Sequence, residues 1–252
     1  VTMHYSERTV MVVPHGVFPE FHERESPPVI PTLETLYAEG EFRVLHLSSS
    51  SRERKGTLKL LKAWASLKAQ ELLPKKARLL LVLTPESRVE VMEWIADRGY
   101  DQLALNIQPI NRLGPRNEGA SPAYLATVYR SAHVLYQPSR AESFGMTGCE
   151  ALACGVPIIA TRATGHGQWF SPGLDGAVPV RVGPYTTIDD LPGARAPKLY
   201  SKSIAEALEY AYTDFVKLKA AALASARSFR ETWSWEAQLS DFRKFLEEEV
   251  NA

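Results

Sequence analysis

Apolar residues along this chain fall into short unbroken runs, separated by stretches where they recur every three or four positions. The runs FRVLHLS (42–48), ARLLLVLT (77–84), LALNIQP (103–109), HVLYQPS (133–139) and VPIIAT (156–161) are short and apolar on both sides, as buried strands are. Between them, residues 55–70, 87–99, 121–132 and 145–154 carry apolar side chains near helical spacing. Ser121 followed by Pro122 is a helix-start signal, and Gly40 and Gly99 are stops. Residues 31–40 read as a short helix, and residues 8–21 as a strand, a Pro-His-Gly turn and a loop. GAVPVRV (176–182) reads as a further strand, residues 203–229 as one or two helices, and residues 234–250 as a last amphipathic helix. Residues 183–200, rich in Pro, Gly and polar side chains, read as a long loop. Strand and helix alternate, and the strands are apolar on both faces. The fold class implied is α/β, a Rossmann-like doubly wound parallel sheet covered by helices.

Composition narrows the partners. Lys plus Arg and Asp plus Glu number 29 each in 252 residues, so no nucleic acid partner is implied and any anion site must be local. No apolar run approaches the ~20 residues of a membrane span. The opening VTMHY lacks the basic-then-apolar pattern of a leader. Cys149 and Cys154, five apart on one predicted helix, suit neither a disulfide nor a zinc site. They read as small buried hydrophobes in a reducing, cytoplasmic setting, with peripheral contact to a membrane left open. The histidines show no metal spacing, and no metal site is expected.

The candidate chemistry lies in AESFGMTGCEALACGVP (141–157). A strand ends at residue 139, a turn follows, and a helix begins near Gly145. In an open parallel sheet, ligands sit beyond the carboxyl ends of the strands, at helix starts. The free N–H groups of Gly145, Met146 and Thr147 would face an anion there, phosphate above all. Glu142 stands at the mouth of that turn, and Glu150 lies on the helix face behind Met146 and Thr147. A carboxylate repels phosphate but accepts hydrogen bonds from hydroxyls. The pair therefore implies a ligand with phosphate in the middle and hydroxyl groups at each end.

Pro138, Ser139, Glu142, Phe144, Gly145, Glu150, Ala151, Gly155, Pro157 and Ile158 resemble the E-x7-E segment of the retaining GT-B glycosyltransferases. That group includes sucrose synthase and the phosphatidylinositol mannosyltransferases. The resemblance extends more loosely over nearly the whole chain. VVPHGV (12–17) is similar to the family's hinge into its C-terminal domain, and TWSW (232–235) to the family's C-terminal end. It implies a hinge or linker over residues 1–30 and a nucleotide-sugar-binding domain over residues 31–252, the C-terminal half of a GT-B fold. The partner domain that holds a sugar, lipid or other acceptor would be missing, so the chain would be a truncated piece or a split partner. No cofactor is implied, the donor substrate being a nucleoside-diphosphate sugar. Glu150 would hold the ribose hydroxyls and Glu142 the transferred sugar. Backbone groups of Phe144, Gly145, Met146 and Thr147 would face the sugar and distal phosphate, and Lys55 would neutralise the diphosphate as catalysis proceeds.

Departures from the family are specific. Its Gly-Arg pair ahead of the lysine is replaced by Ser48 and Ser49, so Arg52 or Arg54 would have to substitute at the diphosphate. In TGHGQ (164–168), Gln168 stands where the family commonly has an acid. Two rival readings follow: a sugar-nucleotide epimerase of the same architecture, and a non-catalytic nucleotide-sugar-binding module.

Overall fold

The computed structural model describes residues 2–5, 8–11, 13–23, 41–48, 52–101, 107–110, 120–189 and 192–250. The expected helix at 31–40 lies outside them. Strands β1 (Thr2–Tyr5) and β2 (Arg8–Met11) form an antiparallel hairpin. The main sheet contains β3 (Arg43–Ser48), β4 (Arg78–Leu83), β5 (Ile107–Ile110), β6 (Val134–Gln137), β7 (Ile158–Ala160) and β8 (Ala177–Pro179). All its pairings are parallel, in the order β5-β4-β3-β6-β7-β8. The chain winds outward one way from β3, then returns to β6 and winds the other way. The crevice between the ends of β3 and β6 is therefore the switch point of a doubly wound sheet.

Strand alternation explains the two-sided apolar runs. Leu79, Leu81 and Leu83 of β4 face one core, while Leu80 and Val82 face the other. Helices α2 (Thr57–Ala69), α3 (Pro85–Asp97) and α6 (Ser201–Thr213) cover the first face; α4 (Pro122–Arg130), α5 (Met146–Ala153) and α7 (Phe215–Trp233) cover the second. Ser121 caps α4 through the Tyr124 amide, 3.3 Å away, as its sequence predicts. Thr84 caps α3 in the same way ahead of Pro85, so that helix starts earlier than residue 87. Cys149 and Cys154 are free and buried. Burial pushes the Cys149 thiol well above its usual value and Cys154 up to about 12.

Two expectations are corrected. The helix predicted over 55–70 is broken: a one-turn helix α1 (Arg52–Lys55) ends at Gly56, whose φ of 72° is left-handed, and α2 starts at Thr57. A Cβ at Gly56 would meet Leu199 and Pro138, so glycine both allows the reversal and admits the neighbours. The long loop expected at 183–200 is instead an antiparallel ribbon of β9 (Val182–Thr187) and β10 (Arg195–Leu199). Ala196, Pro197 and Leu199 are buried, and Pro184 and Pro197 sit in a ribbon that is not part of the main sheet. Reading these prolines as loop markers ignored that a two-stranded ribbon has edges on both sides.

Two segments far apart in sequence meet beside Phe144. Val17 pairs with Ser234 and donates its amide to the Trp233 carbonyl at 2.7 Å, where α7 gives way to α8 (Trp235–Val250). His15 packs on Trp235 and on Phe144, and Trp233 packs on Phe144. Among the described residues, no helix is long and apolar enough to cross a membrane.

Candidate functional site

The switch point is tied together by a buried histidine. His46 on β3 donates its Nδ1–H to the Tyr136 carbonyl of β6 at 2.9 Å. Its Nε2 lies 2.9 Å from the Thr57 hydroxyl at the start of α2. Burial holds its pKa down to about 4, so the ring stays neutral and serves as a brace. Residues 52–55, beyond β3, and 138–145, beyond β6, lie side by side there.

The structure brings Lys55, Arg54 and Glu142 together across those segments. Lys55 Nζ is 2.5 Å from Glu142 Oε1, and Arg54 Nη1 is 3.3 Å from the same oxygen. Arg54 also donates to the Ala141 carbonyl at 2.9 Å, and the Arg140 amide donates back to the Arg54 carbonyl at 2.7 Å. Burial works to raise the Glu142 pKa, but the charge and hydrogen bond of Lys55, helped by Arg54, outweigh it and hold the carboxyl below its usual range. Arg52 is the first residue of α1, and its side chain lies outside the described ones. Ser48 is buried with its hydroxyl 3.0 Å from that of Thr57, and Ser49 lies outside the described residues.

Helix α5 opens beside this cluster. Gly145 has φ 89°, and the His166 ring lies where its Cβ would be, only 2.2 Å from it. The amides of Gly145, Met146 and Thr147 have no protein acceptor among the described residues, as at any helix start. Phe144 itself is buried, and its carbonyl accepts from Trp169 Nε1 at 2.6 Å. That carbonyl is therefore committed to the fold.

Glu150 stands apart from the Lys55–Glu142 cluster. It is 9% exposed, and its Oε2 accepts from the Tyr129 hydroxyl of α4 at 2.6 Å. Burial raises its pKa, partly offset by the Tyr129 hydrogen bond. Its Oε1 has no donor among the described residues. Tyr129 was missed in the sequence, because nothing there shows which α4 side chain meets α5.

Three further groups were missed or undervalued. The turn Thr164–Gln168 grips the Glu142 loop: Thr164 Oγ1 accepts from the Glu142 amide at 3.0 Å, the Gly165 amide reaches the Glu142 carbonyl at 2.8 Å, and Gln168 reaches the Ser143 carbonyl at 3.0 Å. Gln168 in the place of an acid is thus a backbone clamp here. His166 is buried with its Nδ1 3.0 Å from the Thr161 carbonyl, its Nε2 unpartnered, and its pKa down to about 4, chiefly by burial. Arg140, also buried, pairs with Glu53 of α1 and reaches the ribbon at Thr186, Thr187, Ala196 and Pro197. The amide of Asp189 donates to the same Glu53, so the β9–β10 ribbon is pinned to both segments of the site. No group of three or more His, Cys, Asp or Glu side chains able to hold a metal ion occurs among the described residues.

A family profile described as "GT4-conflict: Family 4 Glycosyltransferase in conflict systems" matches residues 2–242. The D-inositol 3-phosphate glycosyltransferase of Arthrobacter sp. (strain FB24) is 31% identical over 138 residues, which make up 54% of this chain and 30% of that protein. Sucrose-phosphate synthase from Thermosynechococcus elongatus has a similar fold, with a TM-score of 0.65 at 19% identity over 95% of this chain and 52% of its own. Anabaena Alr3699/HepE, solved in complex with UDP and glucose, gives 0.61 at 19% identity over 87% and 53%. The chain thus spans about half the length of these solved structures and less of the curated relative. At such identities the likeness is one of fold, the Rossmann-like half of GT-B glycosyltransferases.

Proposed function

Since the chain belongs to the family 4 glycosyltransferases of conflict systems, we propose that it is the donor-binding half of a transferase using a nucleoside-diphosphate sugar. Transfer proceeds with retention and with no cofactor or metal. The acceptor, a sugar, lipid or other hydroxyl compound, is presented by a domain outside this chain. The observation that carries the reading is the Lys55–Glu142 pair, 2.5 Å apart, beside the free amides that open α5.

As the glycosidic bond breaks, the leaving nucleoside diphosphate gains charge. The Lys55 ammonium, the Arg54 guanidinium and the amides of Gly145 to Thr147 stabilise that charge from fixed positions. Glu142, once its cations turn to the diphosphate, accepts hydrogen bonds from the transferred sugar. Glu150 takes the ribose diol through Oε1, with Tyr129 holding the carboxylate in place through Oε2. UDP and glucose in the Anabaena relative support a uridine donor here.

Calorimetry with UDP, GDP, ADP and their sugars tests this. At least one should bind one-to-one, and Lys55→Gln should weaken it about tenfold, the loss of one charge-assisted contact. No binding by any of them to folded protein would overturn the reading. That result would favour a non-catalytic module instead, for which the replacement of the family's Gly-Arg by Ser48 and Ser49 is the specific argument. Conversion of a bound UDP-sugar to its epimer without acceptor would instead indicate an epimerase.

A further inference from the structure

The outer face of α2, the end of α3 and the β9–β10 ribbon enclose a cavity of about 800 Å³. Lys59, Lys62, Arg98 and Lys198 line it together with Trp94 and Tyr100. Lys59 and Lys62, three apart on α2, share one face of that helix. The Arg98 guanidinium sits over the Trp94 ring, 4.1 Å from its centre. Glu53 is the one acid in the wall, and its oxygens are already taken by Arg140 and the Asp189 amide. Lys59, Lys62 and Lys198 have no carboxylate partner among the described residues.

The chain's charges balance overall, so five cations, counting Arg140, against one acid around one hollow are a local excess. Like charges held close together repel, and the arrangement is relieved by an anion that bridges them. The volume is that of a small-molecule site, and walls on three sides suit a compact ligand better than a nucleic acid strand. We propose that this cavity binds a small phosphorylated polyanion, at a site that adjoins the donor cleft through Glu53, Gly56 and Arg140 but takes its own cations. None of Lys55, Glu142, Gly145, Thr147 and Glu150 lines it, so the inference stands whether or not the donor reading does.

The probe is inorganic tripolyphosphate, titrated calorimetrically at about 0.1 M salt, where unpaired surface attraction is largely screened. The protein is the full chain carrying Lys55→Gln, which removes the ammonium of the donor cleft. One-to-one binding is expected. Adding Lys59→Gln, Lys62→Gln and Lys198→Gln should weaken it about tenfold or more, from three modest ion pairs lost together, while the Lys→Arg version of the triple should retain it. The unsubstituted chain gives a second readout: tripolyphosphate should shield Lys59, Lys62 and Lys198 from acetylation, read by mass spectrometry. Absence of binding, equal binding by the triple Gln variant, or unshielded lysines would each overturn the proposal. So would binding of a single-stranded oligonucleotide at these lysines without binding of tripolyphosphate.

Discussion

In the free protein Glu142 occupies Lys55 and Arg54, the cations that the proposed function assigns to a diphosphate, so removing its charge should tighten nucleotide binding. The perturbation is Glu142→Gln. At 2.5 Å from Lys55 Nζ the two charges attract by ~7 kcal/mol at an effective dielectric of about 20. Both side chains are only 11–13% exposed, and desolvation cancels most of that attraction. A charge-assisted hydrogen bond contributes a net ~1.5–3 kcal/mol, and the neutral amide keeps roughly half of it. About 1 kcal/mol of competition is thus released, a tightening of about fivefold in the Kd for the nucleoside diphosphate. Calorimetry should show that gain for the diphosphate and none for the matching nucleoside, which has no phosphate to offer Lys55. Unchanged or weaker diphosphate binding would refute the view that Glu142 and the ligand share one cation. The pair also sets a pH limit. Because the folded Glu142 pKa lies below its unfolded value, the pair's stabilisation is complete above the ordinary carboxylate range and lost as pH falls through the folded value.

Gly145→Ala should destabilise the fold by ~2–4 kcal/mol, since it adds left-handed strain and drives a methyl into the His166 ring; a melting temperature equal to that of the parent would contradict this. Tyr129→Phe should cost ~1–3 kcal/mol in urea denaturation at neutral pH, because ionised Glu150 loses its donor. The Glu150 pKa is already raised, so the penalty should shrink toward acid, where the carboxyl is protonated in both proteins; a penalty that grows on acidification would reject the pairing. Arg140→Ala should speed hydrogen exchange along Val182–Thr187 and Arg195–Leu199 and lower stability by ~2–4 kcal/mol, having taken from Glu53 its cation and from several carbonyls the guanidinium donor. Unaltered exchange in the ribbon would show that Arg140 does not hold it.

The parallel sheet was legible because β4 and β7 are apolar on both faces, which only a covered sheet explains. The helix start at Gly145 was legible because it sits between a strand end and an apolar run, a local arrangement. What stayed hidden depends on contacts between distant segments. Tyr129 reaches Glu150 across two helices, and Arg140 reaches a ribbon some fifty residues on. Neither pairing leaves a periodic trace. The break at Gly56 was also missed: a single glycine near a helix start is compatible with a continuous helix, and only its left-handed φ marks the reversal. Lys55 therefore ends a one-turn helix and does not open a long one.

Both sulfhydryls of the chain lie inside or at the end of α5, with their protonated forms strongly favoured. An alkylating reagent can reach them only when that helix parts from the sheet. The rate of labelling is thus a native clock for the opening of α5, and on the proposed donor reading a nucleotide seated on its first amides should slow it.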